Sequence, residues 1–273
     1  MSILEEIFAN KRSEVARQRQ TATLAEVQTL AENTPPAEDF VATLLRARPR
    51  PALIAEVKLA SPSRGQLAAD TDPLELAETY QSNGAAAVSV LTNERYFGGH
   101  LDHLRAISRR FPGLPLLRKD FILDPYQLYE ARAAGAAAVL LIASALPRTL
   151  LHELHNICYE LGMAALVEVH SSEDLQAALS FTPKLIGINN RNLNDFSVDM
   201  NITRDLRPQI PSEVCVVSES GIRTSDEVAY LGGLGVDAVL VGEALVAAPD
   251  VAAKVRELTM VSETAGRKLF ERH

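Results

Sequence analysis

The sequence predicts an α/β protein, a (β/α)8 TIM barrel with an N-terminal helical extension. Three observations lead there. Eight apolar runs of strand length recur along the chain, separated by amphipathic stretches. A glycine-centred repeat marks the passage from helix to strand. Residues 1–50 stand outside this rhythm and carry helical spacing of their own.

Residues 2–20 place Ile3, Leu4, Ile7, Phe8 and Val15 on one face of a helix, with charges opposite. A second short helix is expected over Ala37–Arg46, stopped by Arg48-Pro-Arg-Pro51. The strand-length runs follow: Leu53–Val57, Ala86–Leu91, Leu114–Leu117, Ala138–Ile142, Ala165–Val169, Leu185–Ile188, Val214–Val217 and Ala238–Val241. Most are rich in Val, Ile and Leu, as parallel strands covered on both faces are. Asn83-Gly-Ala-Ala-Ala-Val88, Ala134-Gly-Ala-Ala-Ala-Val139 and Leu234-Gly-Val-Asp-Ala-Val239 share one design, and Glu160-Leu-Gly-Met-Ala-Ala165 is a looser copy. In each, a helix ends at a glycine able to take the left-handed conformation, and a strand follows. Eight such units favour a closed barrel. The competitor, an open doubly wound sheet, lacks its glycine-rich dinucleotide fingerprint after the first strand. The chain is read as a single barrel domain over residues 1–273, with 1–50 packed on it.

With 273 residues, of which 47% are hydrophobic, the chain has material for a large core. A net charge of −8 argues against a general nucleic-acid or anionic-membrane surface, while leaving room for a locally basic site. The two cysteines, Cys158 and Cys215, have neither disulfide nor zinc spacing and read as small buried apolar residues. The acidic, mixed start Met1-Ser2-Ile3-Leu4-Glu5-Glu6 predicts no secretory signal, and no run has the length of a membrane span. A cytoplasmic location is expected. The end of the chain soon after the last barrel helix, at Lys268–His273, predicts no fused second catalytic domain.

Charges interrupt the apolar runs at their carboxyl ends, where barrel enzymes carry their sites. Glu56 and Lys58 share a face with Ile54; Lys119 shares parity with Leu117; Glu168 is embedded between valines; Asn189 and Arg191 follow Gly187 on one face; Glu219 ends the seventh run. Any one of these residues reads equally as a solvated strand end or a structural ion pair. Together they bring acids and bases to one mouth, where neighbouring charges shift pKa values as proton transfer requires. Three segments suit an anion: Ala60-Ser-Pro-Ser-Arg-Gly65, Ser220-Gly-Ile-Arg223 before a helix start at Thr224-Ser-Asp-Glu227, and Val241-Gly-Glu-Ala-Leu245. Glycines let backbone N–H groups approach a phosphate, and barrels commonly bind one after strands seven and eight. Ordinary loop glycines are the plainer reading.

These residues resemble the indole-3-glycerol-phosphate synthase family over nearly the whole chain. The resemblance rests on Ile54-Ala-Glu-Val-Lys58 with Ser61-Pro-Ser63, Arg118-Lys-Asp-Phe-Ile122, Leu166-Val-Glu-Val169, Gly187-Ile-Asn-Asn-Arg-Asn-Leu193 and Val217-Ser-Glu-Ser-Gly-Ile222. It implies ring closure of 1-(2-carboxyphenylamino)-1-deoxyribulose 5-phosphate, with loss of carbon dioxide and then water. It makes Lys119 the acid on the carbonyl oxygen and leaves Glu168, Lys58 and Glu56 as candidates for the further acid and base. Lys58 is also a candidate partner of the substrate carboxylate. Asn189 and Glu219 would orient the substrate and hold the lysines, and Arg191 would support the anionic part. The phosphate would lie against Ser61, Ser220, Gly221, Gly242 and the backbone of Glu243, and Phe97, Phe121 and Leu140 would wall the aromatic ring. The resemblance implies no metal and no organic cofactor. The expected partner is the small molecule alone, with no nucleic acid and no membrane; a monomer is expected, with weak association as the alternative. Leu59 departs from the basic residue expected after Lys58. His152 with His155, and His100 with His103, are read as exposed helix surface rather than metal ligands.

Two other readings remain open. Another sugar-phosphate barrel, an Amadori isomerase or a Schiff-base aldolase, differs in needing no lysine cluster or in being trapped covalently at Lys119 by borohydride. A non-catalytic barrel that binds a phosphorylated ligand has no reason to keep Lys119 and Glu168 together.

Overall fold

The computed structural model describes residues 3–61, 65–66, 71–192 and 197–259, apart from the side chains of 61, 65 and 66. Eight parallel strands close into a barrel: β1 (Ala52–Val57), β2 (Ala87–Leu91), β3 (Leu116–Lys119), β4 (Ala138–Ile142), β5 (Ala164–Val169), β6 (Leu185–Asn189), β7 (Cys215–Glu219) and β8 (Ala238–Val241). Each strand pairs with its sequence neighbours, and β8 returns to β1 in the register Ala52↔Ala238. The expected strand ends hold to within two residues. The largest shift is in β3, which begins at Leu116 rather than Leu114, just after Pro115. Proline has no N–H to give to a ladder.

Alternation divides the apolar residues into two cores. Ile54, Leu117, Leu140, Leu166, Val217 and Leu240 point inward and pack together. Val57, Val88, Leu116, Val139, Val167 and Val216 point outward, under the helices. The inward positions Ile54, Leu117, Leu166 and Val217 lie two residues before Glu56, Lys119, Glu168 and Glu219. The period of two therefore sends those four side chains into the mouth.

Helices cover the outside, and several start where sequence chemistry dictates. α4 (Pro73–Ser82) and α7 (Pro125–Ala133) begin with proline behind the caps Asp72 and Asp124. α11 (Ser225–Gly233) starts at the expected Thr224, whose side chain accepts from Glu227 N in a capping box. α6 (Leu101–Arg110), α8 (Arg148–Glu160) and α13 (Val251–Thr259) bury Leu104, Leu154 and Leu258 on their inner faces.

The extension contains three helices rather than two. α1 (Ile3–Thr21) matches expectation, and buries Lys11 beside Ile7, Phe8 and Val15. α2 (Leu24–Glu32) was not expected; a Thr23–Glu26 capping box starts it. α3 begins at Phe40 rather than Ala37, because Asp39 caps it through Ala42 N (Phe40–Arg46). Phe40 and Leu44 join the inward cluster with Ala52 and Ala138, so α3 packs on the end of the barrel where the strands begin.

Of the four histidines expected on the helix surface, His155 needs correction, while His152 is exposed as expected. His155 is buried, its ring 4.7 Å from Tyr159 and 4.6 Å from Phe181, and His152 stacks on Phe181 at 5.5 Å. His100 caps α6, its Nδ1 accepting from Asp102 N. Among the described residues no group of three His, Cys, Asp or Glu side chains is placed to hold a metal ion. Cys158 and Cys215 are free and buried, and burial pushes both thiols up, away from the reactive thiolate. No helix among the described residues is long and apolar enough to cross a membrane.

Candidate active site

A cavity opens at the carboxyl ends of the strands. Glu56 and Lys58 line it from β1 and the turn after it, Lys119 and Phe121 from β3, and Leu140 and Ile142 from β4. Glu168 of β5, Asn189 of β6 and Arg191 after it, Glu219 of β7 and Gly242 after β8 complete the ring. Ser220, Gly221 and Glu243 lie on its rim, and Phe97 enters from α5 (Glu94–Phe97). Every expected site residue except Ser61 is brought together here; the Ser61 side chain, Ser63 and Leu193 lie outside the described residues. Leu91, Asp120, Ile222, Arg223, Leu240, Val241 and Ala244 also line the cavity, without having been singled out as site residues. Arg223 lay within an anion-binding segment, so a strand-seven rule that extended past the glycine would have found it.

The charges form two linked groups. Lys119 Nζ lies 3.4 Å from Glu219 Oε2 and 3.6 Å from Glu168 Oε2. Lys58 Nζ lies 3.6 Å from Glu56 Oε1 and 5.6 Å from the centroid of the Phe97 ring. These separations exceed the roughly 2.7–2.9 Å of a tight charge-assisted hydrogen bond. The ammonium groups are held by charge yet remain open to another oxygen. His170 Nε2 approaches Glu168 Oε1 at 3.4 Å, a neighbour that the sequence reading passed over.

Burial would lower the Lys119 pKa, but Glu219, Glu168 and Glu56 outweigh it and hold the ammonium above the ordinary lysine range. Burial raises the Glu219 carboxyl, and the like charges of Glu168 and Glu56 raise it further against the pull of Lys119. The Glu219 carboxyl thus retains a proton toward neutral pH.

Two glycines make this crowding possible. A Cβ on Gly187 would fall 2.2 Å from Glu219 Oε1, and one on Gly242 2.5 Å from Glu56 Oε1. Each glycine leaves the volume that a neighbouring carboxylate fills.

Just beyond the acids, the ends of β7 and β8 form a small polar cradle. Ser220 has φ 65 and Gly221 φ 86, and the serine is one of two non-glycine residues with positive φ among the described residues. Non-glycine residues in that region cluster at functional sites. Asn190 braces this turn from behind, donating to Ser220 O at 3.2 Å and Ser218 Oγ at 3.0 Å and accepting from Thr203 Oγ1 at 2.7 Å. Asn189, on the opposite face, accepts from Arg191 N at 3.0 Å. Arg191 Nη2 stands 3.6 Å from Glu243 Oε2, and Arg223 Nη2 3.9 Å from Glu243 Oε1, so cationic groups border the cradle. Phe97 and Phe121 lie 6.1 Å apart, and Leu140 joins them in the cavity wall.

The family model for indole-3-glycerol phosphate synthase matches residues 4–258. The indole-3-glycerol phosphate synthase of Roseiflexus castenholzii is 54% identical over 264 residues, covering 94% of this chain and 98% of that protein. The Dehalococcoides mccartyi (strain CBDB1) protein of the same name is 49% identical, covering 94% and 99%. Among solved structures, 3-hexulose-6-phosphate synthase from Salmonella typhimurium superposes with a TM-score of 0.64 at 15% identity, over 81% of this chain and all of that one. That likeness is one of fold.

Proposed function

The chain belongs to the indole-3-glycerol phosphate synthase family, and we propose how its own side chains divide that reaction. The enzyme converts 1-(2-carboxyphenylamino)-1-deoxyribulose 5-phosphate to indole-3-glycerol phosphate, a carboxy-lyase step of tryptophan biosynthesis.

In the condensation, the ring carbon bearing the carboxylate attacks the ketone carbon of the sugar. The carbonyl π electrons move onto oxygen, which takes a proton from Lys119. An ammonium already held charged by the acidic groups around it stabilises the developing alkoxide as well as protonating it. The C–CO2 bond then breaks and its electrons restore the aromatic ring. In the dehydration, the hydroxyl on the former ketone carbon leaves as water with a proton from one acid, while a base removes a proton from the adjacent carbon bonded to nitrogen, and the C–H electrons form the carbon–carbon double bond of the indole. Glu168, Lys58 and Glu56 are the acid and base candidates, and Lys58 also suits the substrate carboxylate before it departs. Asn189 and Glu219 orient the substrate and steady the lysines.

Arg191 and the cradle of Ser220, Gly221, Gly242 and the Glu243 backbone receive the phosphate, with Ser61 from the first strand's loop. Phe97, Phe121 and Leu140 hold the aromatic ring. The reading uses no metal or organic cofactor, since the substrate supplies its own electron sink. It takes the chain as one barrel domain, acting as a cytoplasmic monomer on a small molecule.

The observation that carries this assignment is the Lys119 ammonium held between Glu168 and Glu219 in an aromatic-walled mouth. The chain has no tryptophan, so indole emission from product stands on a low background. Purified chain given the substrate, without added metal or cofactor, is expected to yield that emission, and Glu56→Gln to lose most of it. Wild-type rates in Glu56→Gln would make Glu56 structural.

A further inference from the structure

The residues on either side of Lys119, Arg118 and Asp120, are both charged and buried. Arg118 pairs with Glu130 Oε2 at 2.8 Å and donates to Gln127 O at 2.9 Å, reaching α7. Asp120 receives Thr92 Oγ1 at 2.7 Å, Phe121 N at 2.8 Å and Arg118 Nη2 at 3.2 Å. Its remaining partner comes from the N-terminal extension: Lys11 Nζ lies 2.9 Å from Asp120 Oδ1, with both side chains almost wholly excluded from solvent. Burial alone would raise the Asp120 carboxyl, but Lys11 and Arg118 hold it at about 2.

The same helix touches other parts of the mouth. Phe8 meets Phe121 edge-on at 5.7 Å, Asn10 accepts from Arg95, and Glu6 accepts from the Tyr96 hydroxyl on the short helix that carries Phe97. A lysine on an amphipathic helix is almost never fully buried without a task for its charge. Here the charge is set against the residue next to the reaction's acid.

We infer that Lys11 is a positioning residue for the reaction: its buried ion pair with Asp120 fixes the turn after β3, and so aims Lys119 and Phe121 into the mouth. The inference rests on Lys119 as the acid. Because it acts through geometry at the reacting atoms, it belongs to kcat, while the phosphate cradle across the barrel is untouched.

The test is steady-state kinetics on full-length variants, with the folded fraction of each fixed by circular dichroism. Lys11→Met is expected to lower kcat about tenfold with KM within about twofold, since small displacements of a catalytic group are costly. Lys11→Arg is expected to recover most of the loss. Arg19→Ala removes another α1 ion pair, the exposed one to Asp124, and is expected to leave kcat unchanged. Asp120→Asn is expected to match Lys11→Met, and the double variant to be no worse than either single one. Where Lys11→Met does not fold, Lys11→Gln gives the same readout. A kcat within twofold of wild type in Lys11→Met, an equal loss in Arg19→Ala, or additive losses in the double variant would overturn the inference. An inactive Lys119→Ala beside a fully active Lys11→Met overturns this inference alone, whereas an active Lys119→Ala overturns the acid assignment beneath it.

Discussion

At the scale of residues, the site is a problem of volume as much as of charge. Glu219 and Glu56 occupy space that a methyl group at Gly187 or Gly242 would take. Gly187→Ala is therefore expected to fold, because the clash is with the end of a flexible side chain. It should lower kcat at least about tenfold by displacing Glu219 from Lys119. Wild-type kcat in folded Gly187→Ala would show that the Glu219 position is not critical. The inward residues were legible because charge on the parity of residues such as Ile54 or Leu117 recurs at five strand ends, although any one of them reads equally as a solvated end or an ion pair. Lys11, Arg118 and Asn190 were not legible in the same way. A lysine on a helix reads as solvated, and although parity turns Arg118 and Asn190 away from the face of Lys119 and Asn189, nothing local names the buried partners that they meet.

At the scale of elements, the phosphate cradle depends on what stands behind it. Asn190 ties β6, β7 and α10 (Asn201–Leu206) together through Ser218, Ser220 and Thr203, all in buried or half-buried positions. Asn190→Ala leaves those groups without their partner and is expected to cost about 2 kcal/mol in urea unfolding. Inhibition by inorganic phosphate should weaken in the same variant. Unchanged phosphate inhibition would separate the brace from the cradle. The strand runs were readable because covered parallel strands are continuously apolar, and the Gly-Ala-Ala-Ala-Val copies marked their starts. α2 was missed because Thr23–Glu32 is short and weakly apolar; its start signal, a threonine followed three residues later by Glu26, was present. The start of α3 was misplaced because Asp39, not the residues after Pro36, is its cap.

At the scale of the whole molecule, closure followed from eight strand–helix units and the extension was expected to pack on the barrel, but the contact by which it docks was not foreseen, because Lys11 and Asp120 are 109 positions apart in sequence. That contact gives folding a pH dependence. Lys11 and Arg118 hold the Asp120 carboxyl at about 2, below the ordinary aspartate value of 3.8. Its stabilisation is thus present above about pH 4 and lost as pH falls toward 2, on the order of 2 kcal/mol in all. Wild type is expected to lose its stability advantage over Asp120→Asn across that interval in urea unfolding; a constant difference would deny the ion pair its charge. The account of catalysis stands on Lys119 delivering a proton within an otherwise intact mouth, and the most direct measurement is single-turnover indole emission from Lys119→Ala beside wild type, with inorganic-phosphate inhibition as the control for the cradle. The account predicts that the emission is abolished in a folded variant that still competes normally with phosphate. A near-normal rate from that variant would contradict it.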